Sequence, residues 1–166
     1  MKEETPKQIL ALDLGQNTGW ALRRRCGDVH SGTERFKPGR FEDNGMTLLR
    51  FRSWLDRIHE TSGGVDCCVF EEVRRHLGTT ACHVYGEFLG QLKVWAKSNA
   101  IPYLGVPVGT IKKHVTGKGN ASKEEVCRAV MHRGHTPMDD NEADALSLLF
   151  WAIESGPLFS TKGLTL

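Results

Sequence analysis

The stretch Gln8-Ile9-Leu10-Ala11-Leu12-Asp13-Leu14-Gly15-Gln16-Asn17-Thr18-Gly19-Trp20-Ala21-Leu22-Arg23-Arg24 decides the fold. Residues 8–14 make an apolar run of strand length that stops at Gly15. Residues 19–24 pair either with that run or with residues 29–36 across the Cys26-Gly27-Asp28 turn, so the chain opens as an antiparallel meander. One charge, Asp13, interrupts the first strand. A carboxylate in an apolar strand is costly to bury unless it is paired or bound to a metal. Its alternative task, serving the turn behind it, is already covered by Gly15, Asn17 and Gly19.

Beyond the meander the hydrophobic period changes. Apolar residues at 48, 51, 54, 55 and 58, with arginines between them, predict an amphipathic helix over 46–58. A short apolar strand follows over 65–73. Ala81, Val84, Tyr85, Phe88, Leu92 and Trp95 then give a long second helix, and residues 101–106 a further strand. After Pro107 a short helix over 109–115 precedes another over 122–133, where Ser122 and Glu125 stand at capping-box spacing. Strands first, then alternating helices and strands, predict an α/β domain with a mixed sheet.

The strand over 65–73 ends in Glu71-Glu72. Successive strand side chains face opposite sides, so only one of the two can point where Asp13 points. The other is expected in solvent or paired with Arg74 or Arg75.

Four carboxylates then crowd the segment Asp139-Asp140-Asn141-Glu142-Ala143-Asp144-Ala145-Leu146, ahead of a buried helix running toward Gly156-Pro157. Two readings apply. Asp139 and Glu142 have the spacing of a helix cap, and acids at a helix N-terminus suit the macrodipole. Asp140 and Asp144, four apart, also share one helical face, as two ligands of one ion must. With Asp13 and Glu71 or Glu72 they offer all-oxygen ligands from three segments, which favours Mg²⁺ or Mn²⁺ over zinc and a nuclease or phosphatase using two ions.

At 166 residues the chain is most simply one domain, residues 1–166. It lacks a long apolar span or a signal-like start and is expected to be intracellular. Five cysteines without a CxxC pair predict buried, reduced thiols. The net charge of +2 argues for no partner, but its distribution is uneven. Lys112, Lys113, Lys118 and Lys123 lie in a glycine-bearing stretch without an acid before Lys123, and basic surface beside an acidic pocket suits a polyanionic substrate. Cys82, Gly86 and Gly90 form a stripe of small residues along the second helix. His132 and His135 read as surface histidines.

Four phrases in order resemble the RuvC family of Holliday junction resolvases. They are Asp13-Leu-Gly-x-Asn-Thr-Gly-Trp-Ala, Val69-Phe-Glu71-Glu-Val, the stretch from Gly109 to Lys123, and Asn141-Glu-Ala-Asp144-Ala-Leu. The likeness runs from about Ile9 to Ala152 and is nearest to phage or prophage members. It implies an RNase H-like fold with a mixed five-stranded sheet flanked by helices, a homodimer, and a cytoplasmic setting in a bacterial or phage-infected cell. It also implies Mg²⁺-dependent cutting of branched DNA, with two ions per site, Mn²⁺ as a substitute, and 5′-phosphate and 3′-hydroxyl ends. Four-way junctions are the expected substrate, with forks and flaps beside them.

By the same resemblance Asp13, Glu71 and Asp144 are catalytic metal ligands. The family's further Asp falls here on Asn141, and Asp140 is its expected substitute. Lys112, Lys113, Lys118, Lys123, Arg74 and Arg75 are the expected DNA contacts, and the small-residue stripe a dimer seam. Where bacterial members carry a stacking aromatic after the glutamate, this chain has Arg74-Arg75-His76. The rivals are a nuclease of the same fold acting on structured RNA and a non-catalytic junction binder. A sugar-kinase or actin-like phosphate loop shares Asp-x-Gly-x-x-Thr-Gly, but those proteins need two large lobes.

Overall fold

A computed structural model describes residues 6–75 and 78–155. His76 and the expected helix stop at Gly156-Pro157 lie outside them. The described elements run β1 (Ile9–Asp13), β2 (Asn17–Arg23), β3 (Val29–Arg35), α1 (Asn44–Thr61), β4 (Cys67–Glu72), α2 (Thr79–Ser98), β5 (Tyr103–Pro107), α3 (Val108–Thr116), α4 (Lys123–His132) and α5 (Asp140–Glu154). One sheet holds all five strands in the order β3-β2-β1-β4-β5. The meander is antiparallel, while β1–β4 and β4–β5 are parallel. The predicted mixed sheet is therefore present.

Strand alternation sorts the core into two layers. Ile9, Ala11, Cys67 and Val69 face one side and pack with Leu146, Leu149 and the rest of α5. Leu10, Leu12, Cys68 and Phe70 face the other, against Phe51, Trp54, Phe88 and Trp95 of α1 and α2. Because both faces are covered, β1 and β4 read as continuous apolar runs.

Caps explain the differences at element ends. Helix α1 starts at Asn44 rather than 46 because the Asp43 carboxylate accepts from Gly45 N at 2.9 Å. Ser122 and Glu125 form the expected reciprocal capping box of α4. Asp139 accepts from Glu142 N at 2.9 Å, as expected for a cap. The Glu142 carboxylate, however, reaches Met138 N at 2.7 Å and Ser31 on β3 at 2.7 Å. Thr33 on β3 likewise donates to Asp139 at 2.6 Å, so two hydroxyls of the edge strand hold the start of α5.

The helices predicted over 109–115 and 122–133 are present as α3 and α4: Lys112 and Lys113 lie on α3 and Lys123 opens α4, with residues 117–122 between them. One expectation needs correction. The thiols are all free, but only Cys67 and Cys68 are buried; Cys26 and Cys82 are exposed. The stripe Cys82, Gly86 and Gly90 faces outward on α2, where a Cβ added at either glycine would meet nothing within 4 Å.

Gly19 is the most closely packed of the described glycines. It lies opposite Asp13 in the β1–β2 register, and a Cβ there would fall 1.9 Å from the backbone oxygen of Asn141. Only a glycine lets α5 lie this close to β2. Gly19→Ala is expected to destabilise the protein by about 3 kcal/mol through overpacking against rigid backbone. Urea unfolding should show a lower midpoint at unchanged slope; wild-type stability would mean that the contact yields.

Candidate functional site

Asp13 ends β1 and Glu71 lies near the end of β4. The parallel register Leu12↔Phe70, carried one step further, sets the two side by side. By alternation both belong to the face of Ile9, Ala11, Cys67 and Val69, which is the α5 face. Asp144, in the second turn of α5, completes the group. Glu72 falls on the opposite parity, and its carboxylate pairs with Arg74 at 3.1 Å. The open choice between the glutamates is thus resolved in favour of Glu71.

The three acids act on one another electrically. Burial raises the Asp13 pKa well above the ordinary carboxylate value, and the charges of Glu71 and Asp144 raise it further. Burial and then Asp144 push Glu71 up to about 7, against an opposing pull from Lys112. Asp144 rises to about 6 through burial, with Lys112 and Lys123 holding it down. These are the shifts of like charges gathered in a poorly hydrated cleft.

Asp140 stands at the rim. Its carboxylate takes Lys123 Nζ at 3.0 Å and its side chain is about half exposed (48%). Its charge reaches Asp144. Asp139, expected only as a cap, also adds to the field on Asp13.

The cations divide into two groups. Lys112, whose Nζ donates to Ala121 O at 3.0 Å, and Lys123 act on the buried acids. Lys118 is turned away and pairs with Glu125 at 2.9 Å, while Lys113 and Arg75 are exposed. Sequence reasoning missed Tyr85, whose hydroxyl donates to Glu71 O at 2.9 Å and accepts from Val73 N at 3.3 Å. It ties α2 to the end of β4. Its place in an apolar helical stripe disguised it. A cleft of about 550 Å³ opens here, lined by Leu14, Gly15, Gln16, Val73, Val84 and Tyr85 among others.

In donor chemistry the group fits a hard divalent cation, since carboxylate oxygens are the ligands such ions take and their mutual repulsion is what a cation relieves. Among the described residues no three His, Cys, Asp or Glu side chains are drawn together as closely as the ligands of one ion.

A five-stranded mixed sheet with this order, flanked by helices, is the RNase H-like fold. Among solved structures, RuvC of T. thermophilus in complex with Holliday junction substrate is similar over 93% of this chain and 97% of its own, with 20% identity and TM-score 0.75. A second Thermus thermophilus RuvC structure is similar over 89% of this chain and 96% of its own, with 22% identity and TM-score 0.69. The yeast mitochondrial Holliday junction resolvase Ydc2 is similar over 86% of this chain and 76% of its own, with 12% identity and TM-score 0.60. No protein-family model and no curated protein sequence matches the chain. At these identities the likeness is one of fold, and the fold is that of the RuvC resolvases.

Two outcomes follow from the raised acids. In chelator the folded protein retains protons that the unfolded chain, with carboxylates near 4, has already released. Stability should therefore be highest near pH 5 and fall as pH rises through about 6 and 7, the values for Asp144 and Glu71. Mg²⁺ should flatten that fall. Thermal unfolding across pH 5–8, with EDTA or Mg²⁺, measures both, and stability rising with pH in EDTA would contradict the site. Asp144→Asn, which removes one of the repelling charges, should raise the melting temperature in EDTA at pH 8 and abolish the rise produced by Mg²⁺.

Proposed function

We propose that the chain is a structure-selective endodeoxyribonuclease that resolves Holliday junctions, with forks and flaps as further substrates. The observation that carries the reading is the convergence of Asp13, Glu71 and Asp144 from β1, β4 and α5 on one face of an RNase H-like sheet. Asp140 is proposed as the fourth acid, freed when its Lys123 partner turns to phosphate.

Asp13, Glu71, Asp140 and Asp144 would hold two Mg²⁺ ions, with Mn²⁺ as a substitute. When bound, such ions neutralise the developing charge and lower the pKa of water so that it attacks the phosphodiester. The chain's own residues do the rest. Lys112 and Lys123 hold the acids toward their ionised form and present ammonium groups where a scissile phosphate must lie. The Tyr85 bond to the Glu71 carbonyl fixes the end of β4. Lys113, Lys118, Arg74 and Arg75 supply sequence-independent attraction to the backbone further out.

The proposal includes a homodimer, since two sites about a two-fold axis nick a four-way junction symmetrically. The outward stripe Cys82, Gly86 and Gly90 is its proposed seam. No described helix is long and apolar enough to cross a membrane, and the proposed setting is the cytoplasm of a bacterial or phage-infected cell.

Labelled four-way junctions, forks, flaps, linear duplex and RNA hybrids, each with Mg²⁺ and with EDTA, test the reading. Symmetric Mg²⁺-dependent nicks at the junction, with 5′-phosphate ends, are expected. Asp144→Asn should abolish the nicks and leave junction binding within a few-fold. Preference for the RNA substrates would redirect the proposal to an RNA nuclease, and binding without nicks would make the protein a junction binder. Lys118→Ala should weaken binding to all sequences alike and reduce the salt slope by about one.

A further inference from the structure

Phe41 is 92% exposed, the most exposed of the large apolar side chains described. It sits in the connection between β3 and α1, which leaves the sheet at Phe36. There Phe36 N donates to Gln16 O at 2.7 Å, three residues beyond Asp13. The connection thus rises from the same end of the sheet as Asp13 and Glu71.

The tip is a built turn. Glu42 N donates to Gly39 O at 3.1 Å, and Gly39 N donates back to the Glu42 carboxylate at 2.7 Å. Arg50 on α1 clamps that carboxylate at 2.5 Å. The Arg40 guanidinium lies 5.3 Å from the centre of the Phe41 ring. Neither Arg40 nor the exposed Lys37 is in an ion pair among the described residues.

Holding an aromatic ring in water forgoes about 2 kcal/mol of burial. A turn fastened by a carboxylate and an arginine keeps it there, which calls for a partner. The surrounding cations choose the partner's chemistry: a flat apolar ring beside unpaired positive charge suits a nucleobase attached to phosphate, and stacking on a ring tolerates any base.

We infer that Phe41 is a stacking platform for an unstacked nucleobase at the branch point of the DNA, with Lys37 and Arg40 on the adjoining phosphates. The inference rests on the proposed DNA substrate. It adds a means of choosing branched over continuous duplex DNA, because a branch offers base faces that the duplex interior keeps stacked.

The test uses the full-length protein in Ca²⁺ or EDTA, with four-way junctions carrying 2-aminopurine beside the branch and a linear duplex as control. Wild type should bind the junction more tightly than the duplex and change the 2-aminopurine emission. Phe41→Ala should lose about 5- to 150-fold in junction affinity, the equivalent of ~1–3 kcal/mol for one stacked base, with less than about 2-fold change on duplex. Phe41→Trp should restore the affinity, with its added indole emission quenched by the junction. Equal junction affinity for wild type and Phe41→Ala overturns the platform and leaves the nuclease reading standing. A wild type that does not prefer the junction overturns that reading itself. Sedimentation decides the remaining alternative: if Phe41→Ala turns a dimer into monomers, the ring meets a second copy of the chain and the inference fails.

Discussion

The seating of α5 on the sheet is the constraint on which the site depends. That helix carries Asp140 and Asp144, packs on β1 and β2, and fills the core with Leu146, Leu148 and Leu149. Its height is set where the backbone of Asn141 meets Gly19, and Gly19 is the residue paired with Asp13. Asp13 and the acidic turn of α5 are therefore placed by a single backbone contact, with no side chain to absorb error. The hydroxyls of Ser31 and Thr33, which hold Glu142 and Asp139, keep that turn from rotating about the contact. Close packing transmits displacement rather than damping it.

The electrical arrangement follows from that seating. Burial raises the pKa of all three acids, Asp144 adds its charge to Glu71 and Asp13, and the fold answers with Lys112 and Lys123, whose helices α3 and α4 pack beside α5. Two ammonium groups offset part of the repulsion without filling the cleft. The repulsion that remains is the charge imbalance from which the proposed cation binding is argued.

The strands and the amphipathic helices were legible because apolar period and strand alternation are local properties. That Asp13 and Asp144 come together was legible only through motif order, since it depends on the seating of α5 on β1 and β2, more than a hundred residues further along the chain. Glu71 could not be separated from Glu72 by pattern, because β4 is covered on both faces and Val69 and Phe70 are equally apolar. The Tyr85 bonds and the Ser31 and Thr33 tethers left no trace, since a hydroxyl in an amphipathic stripe looks the same whether it ends in solvent or on a backbone carbonyl. Phe41 was invisible for the opposite reason: an exposed phenylalanine is a fact about what fails to cover it.

Asn141 is the place where the RuvC-like pattern breaks, and the structure supplies a physical context for the break. Its backbone is the seat of α5 on Gly19, so it lies against the sheet. A neutral amide there adds no fourth charge to a cluster in which Glu71 is already pushed up to about 7. The neighbouring residue, Asp140, holds its carboxylate at the rim, where about half its surface is in water and Lys123 pairs with it. An acid at position 141 would add a further negative charge beside the cluster and enlarge the repulsion that the resting protein must hold.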